Sequence, residues 1–460
     1  MKFFYRNVTA VVASITVVIS LLGTSAIAAT VVRKNVVDLT PQEKTDFVDA
    51  VKAIKNIIPE GSNIGIYDQF AAIHLGAMAM MSEDSTGPAA MIDAAHNHAG
   101  FLPWHREFLN RFEQALQSVN PNVTIPYWDW TDPKAIDVIF QPDFLGTNGS
   151  GVKIEIPGSG TFEGGPVKSG NFSEASGWVL NSDLNFDSST DKTFGSSLLR
   201  FLRVPPTDAY PIPQKDVDQA FALNDYNLFR PALEGFISVA PDGKINSGGP
   251  FLHNYIHGLV GAVKVGEINP VTGIPNIQPL GTMTSIPSSP LDPVFWLHHA
   301  NVDRLWAEWQ ENGHSGSDFY PDLGQEFGHN LNDPMWPWDG GLSTPGSIGP
   351  GDSLSYLPRF LNSDIVTPAN TLNVNKYGYT YDTLRASVPE PTSTLGLLAL
   401  SSLGAASLLR RKRSYQRGAD SGKGSNAILC GVSDAKGNHL RTLPGKQAIA
   451  SPLAQPARRT

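Results

Sequence analysis

The sequence predicts a mainly helical domain with long loops, and three observations predict it. Apolar residues recur at intervals of three and four along several stretches of the chain, the period of a helix with one buried face. Between those stretches the chain is rich in Gly, Ser, Pro and Asp, which favours irregular connections. Only residues 376–383 show the aromatic alternation of a short strand, and no segment repeats another.

The elements follow in chain order. Residues 1–28 combine Lys2 and Arg6, an apolar run over residues 11–22, and Ala26-Ile27-Ala28 ahead of Ala29, which reads as a signal peptide cleaved after Ala28. Residues 29–387 are expected to form one large domain. Thr40 as N-cap and Pro41 in the first turn open a helix whose buried side is Phe47, Val48, Val51, Ile54 and Ile57. A second helix surrounds residues 70–80. A third follows Pro103 and buries Phe108, Leu109, Phe112, Leu116 and Val119. Residues 146–177 read as a long surface excursion with a few short strands. Helices resume around residues 251–263 and 293–311, and the chain from 312 to 351 is irregular.

Charge and cysteine content limit the function. The 460 residues carry 34 basic and 43 acidic side chains, a net charge of -9. That total is uneven: residues 29–387 carry -19, and residues 388–460 hold eleven basic and three acidic groups. An acidic domain is no nucleic-acid binder, and it weakly disfavours polyanionic ligands. The single cysteine, Cys430, lies outside the domain, so a disulfide framework and a thiolate metal site are excluded there.

The eleven histidines are the most informative residues. His253 and His257 are four apart within one predicted helix, so their rings share a face and can reach one metal ion. His299 and Asp303 repeat that spacing on the next helix. His96 and His105 flank Pro103, one just before a helix and one in its first turn, and His74 sits on the preceding helix. Imidazole suits Zn, Cu, Fe and Ni. No carboxylate is placed to join these histidines in the manner of a di-iron bundle, because Glu311 with His314 and Glu326 with His329 fall in irregular sequence. A His-Glu-x-x-His zinc motif is missing. Purely neutral nitrogen ligands keep copper workable in both oxidation states, which favours copper; spacing alone leaves zinc open.

Four segments then carry a specific resemblance: AAHNHAGFLPWHREFLNRFEQAL from Ala94, IPYWDWT from Ile125, FLHNYIHGLVG from Phe251 and SSPLDPVFWLHHANVDRLWAEWQ from Ser288. Together they resemble the tyrosinase and polyphenol oxidase family of type-3 copper proteins. The resemblance implies a four-helix bundle with long loops around a dicopper centre. It implies His74, His96 and His105 as ligands of the first copper, and His253, His257 and His299 as ligands of the second. It further implies two copper ions as cofactors, O2 as co-substrate, a small phenolic substrate, ortho-hydroxylation of monophenols and oxidation of o-diphenols to o-quinones.

The same resemblance places finer roles. Asn254 and Glu234 would hold a water that takes the proton of a monophenol, and Ile286 would be the gate above the second copper. Asp303, one turn from His299, would orient a ligand ring or pair with Arg106 or Arg304. His98 would be a neighbouring histidine without a ligand role, and His314, His329 and His439 are expected at the surface. Phe295 and Trp296 are placed to pack near the site, although large aromatics just before a helix more often belong to the core. Ala94 stands where some relatives carry a cysteine joined to the second ligand, so no thioether forms. Runner-up readings are an o-aminophenol oxidase, a catechol oxidase without monophenolase activity, and haemocyanin-like O2 binding.

Finally, Val388-Pro389-Glu390-Pro391, the apolar residues 395–409 and Arg410-Arg411-Lys412-Arg413 resemble PEP-type C-terminal sorting signals of exported Gram-negative and cyanobacterial proteins. Residues 388–413 are accordingly read as a sorting segment, handled by envelope sorting machinery and able to anchor the chain transiently in the membrane. The 47 residues after it, 414–460, are read as a disordered basic tail. The expected location is the periplasm, cell envelope or exterior.

Overall fold

The computed structural model describes residues 31–81, 91–247, 249–268, 275–324, 326–346, 348–350, 353–357 and 364–384. The expected signal peptide (1–28), sorting segment (388–413) and basic tail (414–460), with His439 and Cys430, lie outside the described residues. Among the described residues the helices are α1 (Pro41–Asn56), α2 (Ile66–Ala77), α3 (Phe101–Val119), α4 (Ala135–Ile139), α5 (Gln214–Phe221), α6 (Tyr226–Glu234), α7 (Leu252–Gly261), α8 (Val294–Trp309) and α9 (Pro368–Thr371). The strands are short and form small separate sheets of two or three. The mainly helical reading holds, and the core of the domain is the bundle of α2, α3, α7 and α8, with α1 packed across α2 and α3.

Helix α1 starts as its sequence dictates. The Glu43 N–H donates to Thr40 Oγ1 (3.2 Å) and the Thr40 N–H donates to Glu43 Oε2 (2.8 Å), so two otherwise unpaired amides are satisfied reciprocally. Its apolar side buries Phe47, Val48, Ala50, Val51 and Ile54, whereas Ile57, expected on that side, caps the helix end and is exposed. Each large side chain so buried stabilises the fold by roughly 1.5–3 kcal/mol.

Helix α3 begins two residues ahead of Pro103. Proline fits there because its missing N–H is one of the first-turn amides that no helix pairs internally. Phe108, Leu109, Phe112 and Leu116 are buried as expected, whereas Val119, in the fraying last turn, is 41% exposed. Helix α2 ends at Ala77, and Met80–Met81 instead pairs antiparallel with Met91–Ile92.

Two elements escape the sequence reading. Helices α5 and α6 are eight and nine residues long, and Pro231 sits inside the second. The excursion over 146–177 also differs from expectation. Its hairpin Val152–Ile156 with Gly160–Pro166 is mostly exposed, but the returning chain buries Phe172 and then Trp178, whose ring meets Tyr67 edge-on at 4.8 Å.

The ends of the domain are pinned together. Val31–Arg33 pairs in parallel with Tyr379–Tyr381, which brings Arg33 into a fully buried charge cluster. Arg33 forks onto Glu113 (3.1 and 2.9 Å) and reaches Asp303 (3.3 Å). Arg106 donates to the other Asp303 oxygen at 2.5 Å, and the hydroxyls of Tyr379 and Tyr381 each donate to Asp303 at 2.6 Å. Two cations and two anions balance, which is what makes such burial tolerable.

Candidate metal centre

Each helix of the bundle contributes histidine to its interior. His74 comes from α2, His105 from α3, His253 and His257 from α7, and His298 and His299 from α8, while His96 precedes α3. All of these are buried. Their ring nitrogens fall into two groups, His74 with His96 and His105, and His253 with His257, His298 and His299, with the candidate ligand atoms of each group within 4.8 Å of one another. The groups meet where His105 stacks on His299, ring centres 4.3 Å apart and 17° from parallel.

Local structure decides which nitrogen each ring offers. His105 Nδ1 lies 2.9 Å from the Phe101 carbonyl, His253 Nδ1 3.0 Å from the Glu234 carbonyl, and His257 Nδ1 2.7 Å from the Met283 carbonyl. A carbonyl only accepts, so the proton sits on Nδ1 and Nε2 is left as a bare lone pair. His253 Nε2 then faces His257 Nε2 at 3.1 Å and His299 Nε2 at 3.2 Å. Lone pairs this close repel unless a cation lies among them. A tetrahedral ion with metal–nitrogen bonds of about 2.0 Å needs nitrogens about 3.3 Å apart, so the spacing fits. In the other group, His96 and His105 have Nε2, and His74 both ring nitrogens, buried without a protein partner.

Electrostatics favour the same state. Burial, with the neighbouring rings adding to it, pushes His74, His105, His253, His298 and His299 well below the ordinary histidine range, and burial pushes His257 down to about 4. Neutral imidazole is the form that binds metal. His96 differs: burial opposes its charge, but the Asp93 carboxylate outweighs that and raises it.

The remaining predicted residues fall around these rings. Glu234 ends α6, buried, its Oε1 accepting from the Asn97 N–H (2.6 Å) and its Oε2 paired with Arg230. Burial raises its pKa against the pull of Arg230. It reaches His253 because Gly235 turns the chain at φ 99°, where a Cβ would stand 2.1 Å from the Phe251 carbonyl. Asn254, half-buried, puts Oδ1 3.1 Å from His253 Nδ1. Ile286 is half-buried at the start of a 3-10 turn, three residues beyond Met283, whose carbonyl holds His257. Asp303 touches no ligand ring; it pairs with Arg106 and Arg33, whereas Arg304 bonds Glu308 (2.7 Å). Ala94 is fully buried.

Several residues take places the sequence left open or did not reveal. Phe295 lies over His299 (4.1 Å) and beside His74 (5.3 Å), and Phe101 lies between His105 (4.8 Å) and His253 (5.0 Å). Trp296 is core, stacked on Phe112. His298 lies parallel to His253 at 4.8 Å, both its ring nitrogens unpartnered. His314 and His329 are half-buried, corrected from the surface, because they stack on Trp309 and on the buried His98. Adjacent repeats of histidine carry no local signal for which ring points inward, so only the tertiary contacts identify these neighbours.

A helical bundle enclosing two abutting groups of buried imidazoles, with no carboxylate among the candidate ligands of the described residues, has the make-up of a binuclear copper protein of the type-3 kind. Comparison with known proteins agrees. Residues 64–312 match the family model for the common central domain of tyrosinase. The chain is 33% identical over 328 residues to a tyrosinase of Streptomyces antibioticus, covering 69% of this chain and 95% of the relative. It is 32% identical over 320 residues to a grixazone synthase of Streptomyces griseus, covering 67% of this chain and 93% of the relative. A solved polyphenol oxidase variant from Thermothelomyces thermophila superposes with a TM-score of 0.49 at 22% identity, covering 77% of this chain and 89% of that one.

The chain therefore belongs to the tyrosinase family. It is a dicopper enzyme that uses O2 to oxidise phenols. Residues 387–413 match the PEP-CTERM protein-sorting motif, which points to export and envelope sorting. No helix among the described residues is long and apolar enough to cross a membrane.

Proposed function

We propose that this enzyme both hydroxylates monophenols at the ortho position and oxidises o-diphenols to o-quinones, with His74, His96 and His105 holding one copper and His253, His257 and His299 the other. The observation that carries the reading is the set of buried Nε2 lone pairs turned towards one another by Nδ1 hydrogen bonds to fixed acceptors. Copper, when bound, supplies electron exchange with O2 and activates the oxygen that reaches the ring. Two o-diphenols together give up four electrons and four protons and leave as o-quinones, which accounts for one O2 ending as two waters.

The chain's own residues do the rest. Phe101 and Phe295 wall the rings off from water and fix their planes. Ile286, beside the turn that holds His257, narrows the approach to the second group as a branched aliphatic gate. Asn254 spends Oδ1 on His253 and keeps its amide N–H groups for a water, and each Glu234 oxygen retains a lone pair for the same water. That water accepts the phenol proton before oxygen is transferred. Asp303 acts at a distance, holding α3 to α8 through Arg106.

The test is turnover of a panel of monophenols, o-diphenols and o-aminophenols by the copper-loaded protein and its Asn254→Ala variant. The expected result is turnover of the first two classes by the wild type, with the variant losing monophenol turnover selectively. An unchanged ratio of tyrosine to catechol turnover would remove the role of Asn254; preferred turnover of o-aminophenols would replace the substrate class. Residues 1–28 and 388–413 are proposed to export the chain and sort it to the envelope, which fractionation of the full-length protein checks.

A further inference from the structure

The rings of the centre are not backed alike. His105, His253 and His257 each turn Nδ1 to a neutral backbone carbonyl. His96 turns Nδ1 to a carboxylate: Asp93 Oδ1 and Oδ2 both lie 3.1 Å from it. Asp93 is itself held in place, because its Oδ1 accepts from the Ala95 N–H (2.9 Å) and the His96 N–H (3.0 Å). The anion is thus clamped over the start of the segment that carries His96, and His96 Nε2 is left buried and unpartnered on the opposite side of the ring.

A carboxylate behind a ligand histidine does two things that a carbonyl does only weakly. It fixes the tautomer and ring angle, and its full negative charge raises electron density at the far nitrogen. We propose that Asp93 is a positioning residue for the first copper: it makes His96 the strongest donor of its group, so the two coppers are held with unequal strength and the first is biased towards Cu(II). The proposal rests on the dicopper reading above and concerns its electronic asymmetry.

Two substitutions separate the charge from the shape of the turn. Asp93→Asn keeps an oxygen that can accept from the Ala95 and His96 amides and removes the charge; Asp93→Ala removes both. The full-length, copper-loaded protein is titrated with a copper chelator, copper per chain is counted, and the potential at which the bound copper is reduced is recorded. Wild type should hold two copper ions. Asp93→Ala should release one of them at about ten- to a hundredfold lower chelator concentration and the other as wild type does. Asp93→Asn should release the same ion several-fold more easily (about two- to tenfold) and be reduced at a higher potential, because loss of the anion favours Cu(I).

An Asp93→Asn protein with wild-type copper retention and wild-type potential would overturn the proposal and leave Asp93 as a turn-former only. That comparison stands even if Asp93→Ala fails to fold. Wild type that binds no copper pair would instead overturn the dicopper reading itself, a result distinguishable before any variant is made.

Discussion

Replacing Asp303 by alanine tests the claim that this residue serves the scaffold and not the metal. Its carboxylate receives Arg106 at 2.5 Å, Arg33 at 3.3 Å and two tyrosine hydroxyls at 2.6 Å, all in the protein interior. Burial alone would raise its pKa, but Arg106 and then Arg33 outweigh burial and hold it below the usual carboxylate range. Removing it leaves the cluster with one uncompensated positive charge and two hydroxyls without their acceptor. Breaking a buried pair in this way costs about 3–5 kcal/mol. A domain of about 350 residues has an unfolding entropy of about 0.7 kcal/mol per degree, so the melting temperature should fall by about 4–7 °C.

The assay is thermal unfolding of the copper-loaded wild type and variant at neutral pH, with copper counted in each. Expected are the lower melting temperature and two copper ions per chain below it. The sign with pH follows from the depressed pKa: this stability is present above the unfolded aspartate value and is lost as pH falls through the folded one. A variant that melts like wild type would refute the charge-cluster argument. One that folds at full stability but loses a copper ion would show that Asp303 does orient a ligand after all.

Other predictions follow from the same geometry. His74→Ala and His257→Ala should each lower the copper content from two ions to about one per chain at equal chelator concentration, since each removes one of the three ligands proposed for its copper; metal analysis decides, and two retained ions would reassign the ligand. The copper-free protein should lose resistance to urea as pH falls from about 6.5, because buried rings such as His257, pushed down to about 4, stay neutral while the unfolded chain takes up protons. A urea midpoint flat between pH 7 and 5 would contradict neutral burial. A chain ended after Arg385 should fold and bind copper as the full chain does, whereas one ended before Tyr379 should not, because Arg33 and Asp303 then lose Tyr379 and Tyr381 and the strand partner of residues 31–33. Unfolding and copper counts on the two truncations check this.

Much of the site was legible because its signals are local. His253 and His257 declare themselves by a four-residue step on one helix, and α1 and α3 by apolar spacing that any long amphipathic helix must show. Short elements carry too few turns for that: α5 and α6 span about two turns each, and Pro231 inside α6 argues against a helix at all until the packed chain holds it. The neighbours of the ligand rings were equally hidden. Asp93 is an ordinary exposed-type residue in sequence, and Phe101 and Phe295 are ordinary core aromatics, until folding lays them on imidazoles.

The sequence by itself determined the helical class, the acidic domain between basic ends, the six candidate histidines and, through motif resemblance, the chemistry. These rest on periodicity, composition and fixed spacing, which need no knowledge of distant contacts. Only the tertiary structure decided which nitrogen each ring presents, that Asp303 serves Arg33 and Arg106, and that the two ends of the domain close on each other. Those outcomes join residues up to 348 positions apart, as Arg33 joins Tyr381. Hydrogen-bond partners at that range are chosen by packing, where every buried charge and lone pair must find its counterpart.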